Sequence, residues 1–261
     1  MARRAGEIAI QRKEGGATLL VDAGDALNGE EGIGLATKGQ AIIEAMNLMQ
    51  YDAMALGSGD FVVGLDLLRE RMKAAQFPML SANAVLSDTG ELIARPYVIK
   101  DLGPGYRAAI IGLTDPDVEG LSRAVRGPVV RTLDPMDTLK KAVAEVSGKA
   151  NVVIVLSHLG LQADRDLAES VPGIAVIVGG KSGEIMPPTQ VGPTGAVLAQ
   201  AGSQGKYLGE LRLMLNEQGG VTSVRGEEKA LGAEIPDDPA MAKFVDDQTR
   251  LMGPAPTVAV N

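Results

Sequence analysis

The chain has 261 residues, 45% of them hydrophobic, enough for one large core or two small ones, with a net charge of −8. That charge repels a polyphosphate backbone and argues against binding a nucleic-acid polymer. The absence of cysteine excludes disulfides, thiolate ligands and thiol nucleophiles, and no apolar run of about 18 residues is present to span a membrane.

With 3 Phe, 4 Tyr and no Trp, the core must be built from aliphatic residues and the 11 Met. Met-Ala-Arg-Arg opens the chain, but Glu7, Gln11, Arg12, Lys13 and Glu14 leave no apolar stretch of signal-peptide type. Residues 1–14 read as a helix stopped by Gly15-Gly16, and Thr18 to Val21 as a buried strand closed by Asp22-Ala-Gly-Asp25. Ala36 to Gln50 has helical spacing of Ile42, Ile43, Met46 and Met49. Ala53 to Leu56 is a short strand entering Gly57-Ser-Gly-Asp60, and Leu65 to Ala75 a charged amphipathic helix.

Phe77 to Leu80 leads into a strand ending at Ser81-Ala-Asn83. Tyr97 to Asp101 and Arg107 to Leu113, divided by Gly103-Pro-Gly105, read as a hairpin. Thr138 to Val146 is helical and feeds Val152 to Leu156, an apolar run with no polar alternation, so both faces of this strand must be covered. It ends at Ser157-His158, the only histidine of the chain. A strand end is where layered α/β folds place ligands, although a lone histidine there is more often a satisfied structural residue. Leu161 to Ser170 is a helix, Ile174 to Val178 a buried strand, and Val197 to Gln200, Gly209 to Asn216 and Thr222 to Arg225 are late strands. Asp238 to Met252 is the last helix, followed by a linker-like Gly253 to Pro256. Buried strands alternating with amphipathic helices specify an α/β layered fold.

The Gly179-Gly-Lys-Ser182 loop is not a phosphate-binding P-loop, because Ala175 stands where that motif needs its first glycine. Asn83 and Ser81 close one strand and could touch a ligand, but asparagine there is more often a turn former. Lys206 and Tyr207 read as packing residues, and Glu30-Glu31-Gly32 as a solvated face.

Taken in order, seven blocks resemble the metallophosphatase domain of the 5′-nucleotidase and UDP-sugar hydrolase family of calcineurin-like phosphoesterases. They are Leu19 to Asp25, Ala55 to Phe61, Phe77 to Asn83, Ile110 to Thr114, Val155 to Gly160, Ile177 to Gly180 and Ala201 to Gly209. The resemblance implies a four-layer α/β/β/α sandwich over residues 1–235, with 236–261 as C-terminal helix and linker, and an extracytoplasmic or periplasmic location. The family's usual C-terminal nucleotide-binding domain does not follow in this chain.

The resemblance also implies two divalent ions (Mn, Zn or Fe) at the sheet ends, stabilising the attacking and leaving oxygens of a phosphate ester. Against that pattern the chain retains the bridging aspartate as Asp25 and one histidine ligand as His158. The family's Asn-His-Glu falls on Ser58, Gly59 and Asp60, so a ligand and the catalytic histidine are replaced. The aspartate that would orient that histidine falls on Val62. Two further histidine-type ligands fall on Lys181 and Gly183, and the family's first Asp-x-His block has no counterpart in residues 1–18, so it was either lost or precedes the start of this chain.

The expectation is therefore a degenerate domain without metal cofactor, serving as a binding or interaction module for a protein partner or flanking module. The alternative is a metal-dependent phosphoester hydrolase with an unconventional or one-metal site. Lys181 is expected to stand in for the missing ion, within reach of Asp25 or bonded to nearby loop groups. The bland alternative leaves it in solvent.

Overall fold

The structure, a computed structural model, describes residues 1–27, 32–125, 127–216 and 220–252. Glu30, Glu31 and the segment Gly253 to Pro256 lie outside the described residues. Two sheets form the centre. The first is parallel, ordered β1 (Val21–Asp22), β2 (Ala53–Ala55), β3 (Met79–Leu80). The second uses β5 (Tyr97–Asp101), β6 (Arg107–Leu113), β8 (Val152–Ser157), β9 (Val176–Gly179), β10 (Ile185–Val191) and β11 (Ala196–Ala201), in the order β10-β11-β9-β8-β6-β5. Its β6, β8, β9 and β11 run parallel, and the two edge strands are antiparallel to their neighbours.

Period-two alternation sends side chains of each strand to opposite layers. Ala53, Ala55 and Leu80 of the first sheet meet Ile110 and Leu156 of the second, forming a thin core between the sheets. The neighbouring residues Met54, Leu56 and Met79 face outward to Ile8, Ile43, Met46, Leu68 and Met241. These belong to α1 (Ala2–Arg12), α3 (Gln40–Leu48), α4 (Leu65–Ala74) and α8 (Pro239–Met252), with α2 (Ile33–Ala36) beside them. On the far side, Ala109, Ile111, Leu113, Val153, Val155 and Ile177 pack against Leu139, Val146 and Leu167. Those residues lie on α6 (Pro135–Val146) and α7 (Leu161–Ser170). The result is the four-layer α/β/β/α sandwich, and it explains the unbroken apolar runs: each inner strand is covered on both faces.

Gly112 lets the two sheets close at their upper end, since a Cβ there would lie 2.4 Å from the Leu80 carbonyl oxygen. The last hairpin, β12 (Tyr207–Leu215) with β13 (Val221–Ala230), is antiparallel as expected. It is fastened to α1 by Lys229 on Glu7 at 2.8 Å. The Lys206 carbonyl accepts from Leu231 N, but Lys206 itself is exposed and Tyr207 half-buried.

Three details differ from the sequence reading. The helix expected over 36–50 is broken at Lys38 and Gly39, both with positive φ, because Gly39 must sit against Leu27. Thr18 is exposed, and sheet pairing of the first strand is confined to Val21–Asp22. The small sheet of β4 (Ala84–Leu86) with β7 (Val130–Thr132) and the helix α5 (Val118–Ala124) had no clear period. Among the described residues no helix is long and apolar enough to cross a membrane.

Candidate functional site

Five strands deliver their C-terminal loops to one place: Asp25 after β1, Gly57 to Asp60 after β2, Asp115 and Asp117 after β6, His158 after β8, and Gly180 to Lys181 after β9. Their turns are held by local bonds. Asp22 Oδ1 accepts from Gly24 N at 3.0 Å, which turns the first loop and holds Gly24 and Asp25 at positive φ. Asp60 is fully buried and accepts from the backbone amides of Gly57, Asp25 and Leu27 at 2.9, 3.0 and 3.1 Å. Asp60 thus knits the first loop to the 3₁₀ turn Ser58–Phe61 rather than facing the pocket.

At the centre, His158 Nε2 lies 3.0 Å from Asp25 Oδ2, while Gly59 N donates to Asp25 Oδ1 at 2.7 Å. His158 Nδ1 points at the Ala23 carbonyl at 2.9 Å. Both ring nitrogens therefore face oxygen acceptors, an arrangement that favours the doubly protonated imidazolium. Burial pushes the His158 pKa down. The hydrogen bond and charge of Asp25, with help from the Ala23 carbonyl and Asp115, outweigh it and lift the value to about 9. Burial raises the Asp25 carboxyl, but His158, Gly59 N and Lys181 hold it below its ordinary range. Burial, reinforced by the charge on Asp25, pushes Asp60 up to about 7 against its three amide donors.

Glycines crowd this pair. A Cβ on Gly57 would meet Asp25 Oδ1 at 2.2 Å and one on Gly59 would meet the same carboxylate at 2.9 Å. A Cβ on Gly180 would lie 2.7 Å from His158 Nδ1. Val62 follows the turn half-buried and offers no acceptor.

Lys181 takes the second of its two expected arrangements. Its Nζ does not pair with Asp25 but donates to Asp115 Oδ1 at 2.7 Å and Asp117 Oδ2 at 2.5 Å. Asp115 is fully buried and accepts from Ser58 N at 3.0 Å through its other oxygen. These two aspartates were missed by the sequence reading. The signal was available, because Asp115-Pro-Asp117 directly follows a buried strand, as His158 does.

Asn83 is a correction in the other direction. Its side chain is fully buried and bonded to Thr114 N and Thr114 O, both at 2.8 Å, with its amide group spent on tying β4 to the end of β6. Gly183 is exposed, has positive φ and faces Ser203 instead of the central pair.

Behind the loops lies a fully buried carboxyl the sequence did not flag. Asp164 is near Gln200 Nε2 at 3.4 Å, with one oxygen lacking a partner, and burial pushes it up to about 7.

A dinuclear centre needs several free carboxylate, imidazole or amide donors converging on each ion. The donors here do not fit that requirement as arranged. Each Asp25 oxygen already takes one partner, both His158 ring nitrogens face protein oxygens, Asp60 points into backbone, and an ammonium stands at another ligand position. Among the described residues no group of three or more His, Cys, Asp or Glu side chains is placed to hold a metal ion.

No family model matches the chain. It is 32% identical to human 5′-nucleotidase over 248 residues, which cover 85% of this chain and 42% of that protein. Among solved structures it superposes on a 5′-nucleotidase precursor from Thermus thermophilus with a TM-score of 0.85 at 32% identity, covering 96% of this chain and 52% of that one. It superposes equally, at 0.85 and 26% identity, on the calcineurin-like phosphoesterase YfkN of Bacillus subtilis, covering 97% and 89%. The chain thus spans about half the length of the curated relatives it matches. With its four layers, its convergent strand-end loops and these likenesses together, the chain belongs to the 5′-nucleotidase family of calcineurin-like phosphoesterases.

Proposed function

We propose that this domain keeps the metallophosphoesterase scaffold but not the two-metal hydrolysis of phosphate esters, binds no metal cofactor, and serves as a binding or interaction module for a protein partner or flanking module. One observation carries the reading: Asp25 and His158, the two residues retained from the family's ligand set, neutralise each other at 3.0 Å. An imidazolium cannot ligate a metal, and a metal entering here must displace a proton and break an ion pair whose imidazole is buried and whose carboxylate is partly exposed. A second support is Gly59. It leaves the site without the catalytic histidine expected at that position, and a Cβ there would lie 2.9 Å from the Asp25 carboxylate, which would have to move to admit one. Electrostatics point the same way. Asp25, Asp115 and Asp117 surround His158 and Lys181, so a phosphate dianion without metal ions meets no surplus of positive charge.

The test is to purify the protein, load it with Mn or Zn, and assay AMP and an aryl phosphate while measuring bound metal by elemental analysis. The expected outcome is no stoichiometric metal and no metal-dependent turnover. Kinship favours a second reading, a hydrolase with a one-metal or unconventional site, because the relatives are named 5′-nucleotidases at 32% identity. Turnover that disappears in Asp25→Ala would establish that reading and end the first. An extracytoplasmic location is proposed from the family resemblance alone, and fractionation of cells expressing the full gene checks it.

A further inference from the structure

Bound ions in a two-sheet site do two jobs: they activate the substrate, and they tie together loops that come from different sheets. The second job is filled here from within the chain. Asp115 sits at the end of β6 in the second sheet, and its Oδ2 accepts from Ser58 N of the loop that closes β2 in the first sheet. Its Oδ1 accepts from Lys181 Nζ, delivered by the loop after β9. One fully buried carboxylate therefore joins three loops, two through backbone or side-chain donors and one as its own anchor. Lys181 has positive φ, a conformation that costs energy for a residue with a side chain. Its neighbour Ser182 is held in turn through a hydrogen bond to Gln200 of β11.

We propose that Lys181 and Asp115 form a latch, a covalently tethered cation and its buried counter-ion, which holds the pocket loops of both sheets in register in place of bound metal. Asp117 is an auxiliary partner of the same ammonium and is largely exposed. The latch rests on the metal-free reading of the pocket, but its own geometry is independent of Asp25 and His158. It also assigns a role to Asp115, which no resemblance marked.

A double-mutant cycle read by thermal unfolding in EDTA tests it, using Lys181→Met, Asp115→Asn and the pair together. Lys181→Met leaves a buried carboxylate without its cation and is expected to lower Tm by about 5 °C or more. Asp115→Asn keeps an acceptor for Ser58 N and removes the charge, so the double variant should melt above Lys181→Met alone. Lys181→Arg, which retains the cation, should recover most of the loss. Amide exchange at 57–60 should quicken in Asp115→Ala, where Ser58 N loses its acceptor. Additive losses in the cycle, or a Lys181→Met protein as stable as the parent, would overturn the latch. Repeating the melt of the parent protein with Mn separates the two ideas. A Mn-induced rise in Tm would defeat the metal-free reading on which the latch depends, whereas an unchanged Tm with additive losses defeats the latch alone.

Discussion

Asp25 shows how much of a site can be decided by what a neighbouring residue lacks. The carboxylate leans on the bare backbone of Gly57 and Gly59 and on one imidazolium, and no side chain at either glycine could coexist with it in this position. Restoring the family histidine by Gly59→His should therefore give no metal-dependent turnover. It should also lower stability by about 1–3 kcal/mol, since the new Cβ displaces the Asp25 carboxylate; a chemical-denaturation series with the aryl phosphate assay checks both. Asp25→Asn is the complementary change. It leaves His158 with a neutral neighbour, and because Asp25 is 38% exposed the loss should stay near about 1–2 kcal/mol. NMR titration should then show His158 losing its proton well below the value of about 9 that Asp25 supports.

Between elements, the decisive contact is the one where β6 crosses β3. Gly112 sits with its α-carbon facing the Leu80 carbonyl, and the missing Cβ is what allows Ile110 and Leu156 to reach Ala55 and Leu80 in the thin core. The obstacle to a larger residue is backbone, which cannot rotate away. Gly112→Ala should therefore cost about 2–4 kcal/mol, more than a typical surface or strand substitution, and a urea midpoint measurement decides it. The same junction carries the buried Ser81, Asn83 and Thr114 network, with Thr114 Oγ1 donating to the Leu56 carbonyl at 2.7 Å. Disturbing the sheet contact thus also disturbs the loop that begins at Gly57.

For the molecule as a whole, three buried groups give stability one direction with pH. His158 has its pKa raised from 6.5 to about 9, so its contribution is complete below 6.5 and is lost as pH rises through 9. Asp60 and Asp164 are raised from 3.8 to about 7, so the folded chain holds protons there that the unfolded chain has released, and stability falls between those values. Asp25, lowered, opposes them only in acid, below its ordinary range. Tm should therefore be highest in mildly acidic buffer and fall steadily towards pH 9, and Asp164→Asn should flatten the part below pH 7. A Tm that rises from pH 5 to 8 would contradict this.

The layered class, the buried central strands, the family and the retention of Asp25 and His158 could all be read from the chain, because each depends on local period or on residue identity at a strand end. Helix breaks such as Gly39 and the short pairing of the first strand could not, since they arise from contacts with Leu27 and with solvent that no local window contains. Residue identity alone likewise could not tell whether Lys181 answers Asp25 or another acid. Only the convergence of loops from two sheets put its ammonium on Asp115 and Asp117 and turned Asn83 inward to Thr114. Pairing of charges across sheets depends on distance through space, and residues 66 apart in sequence meet there only after both sheets have closed.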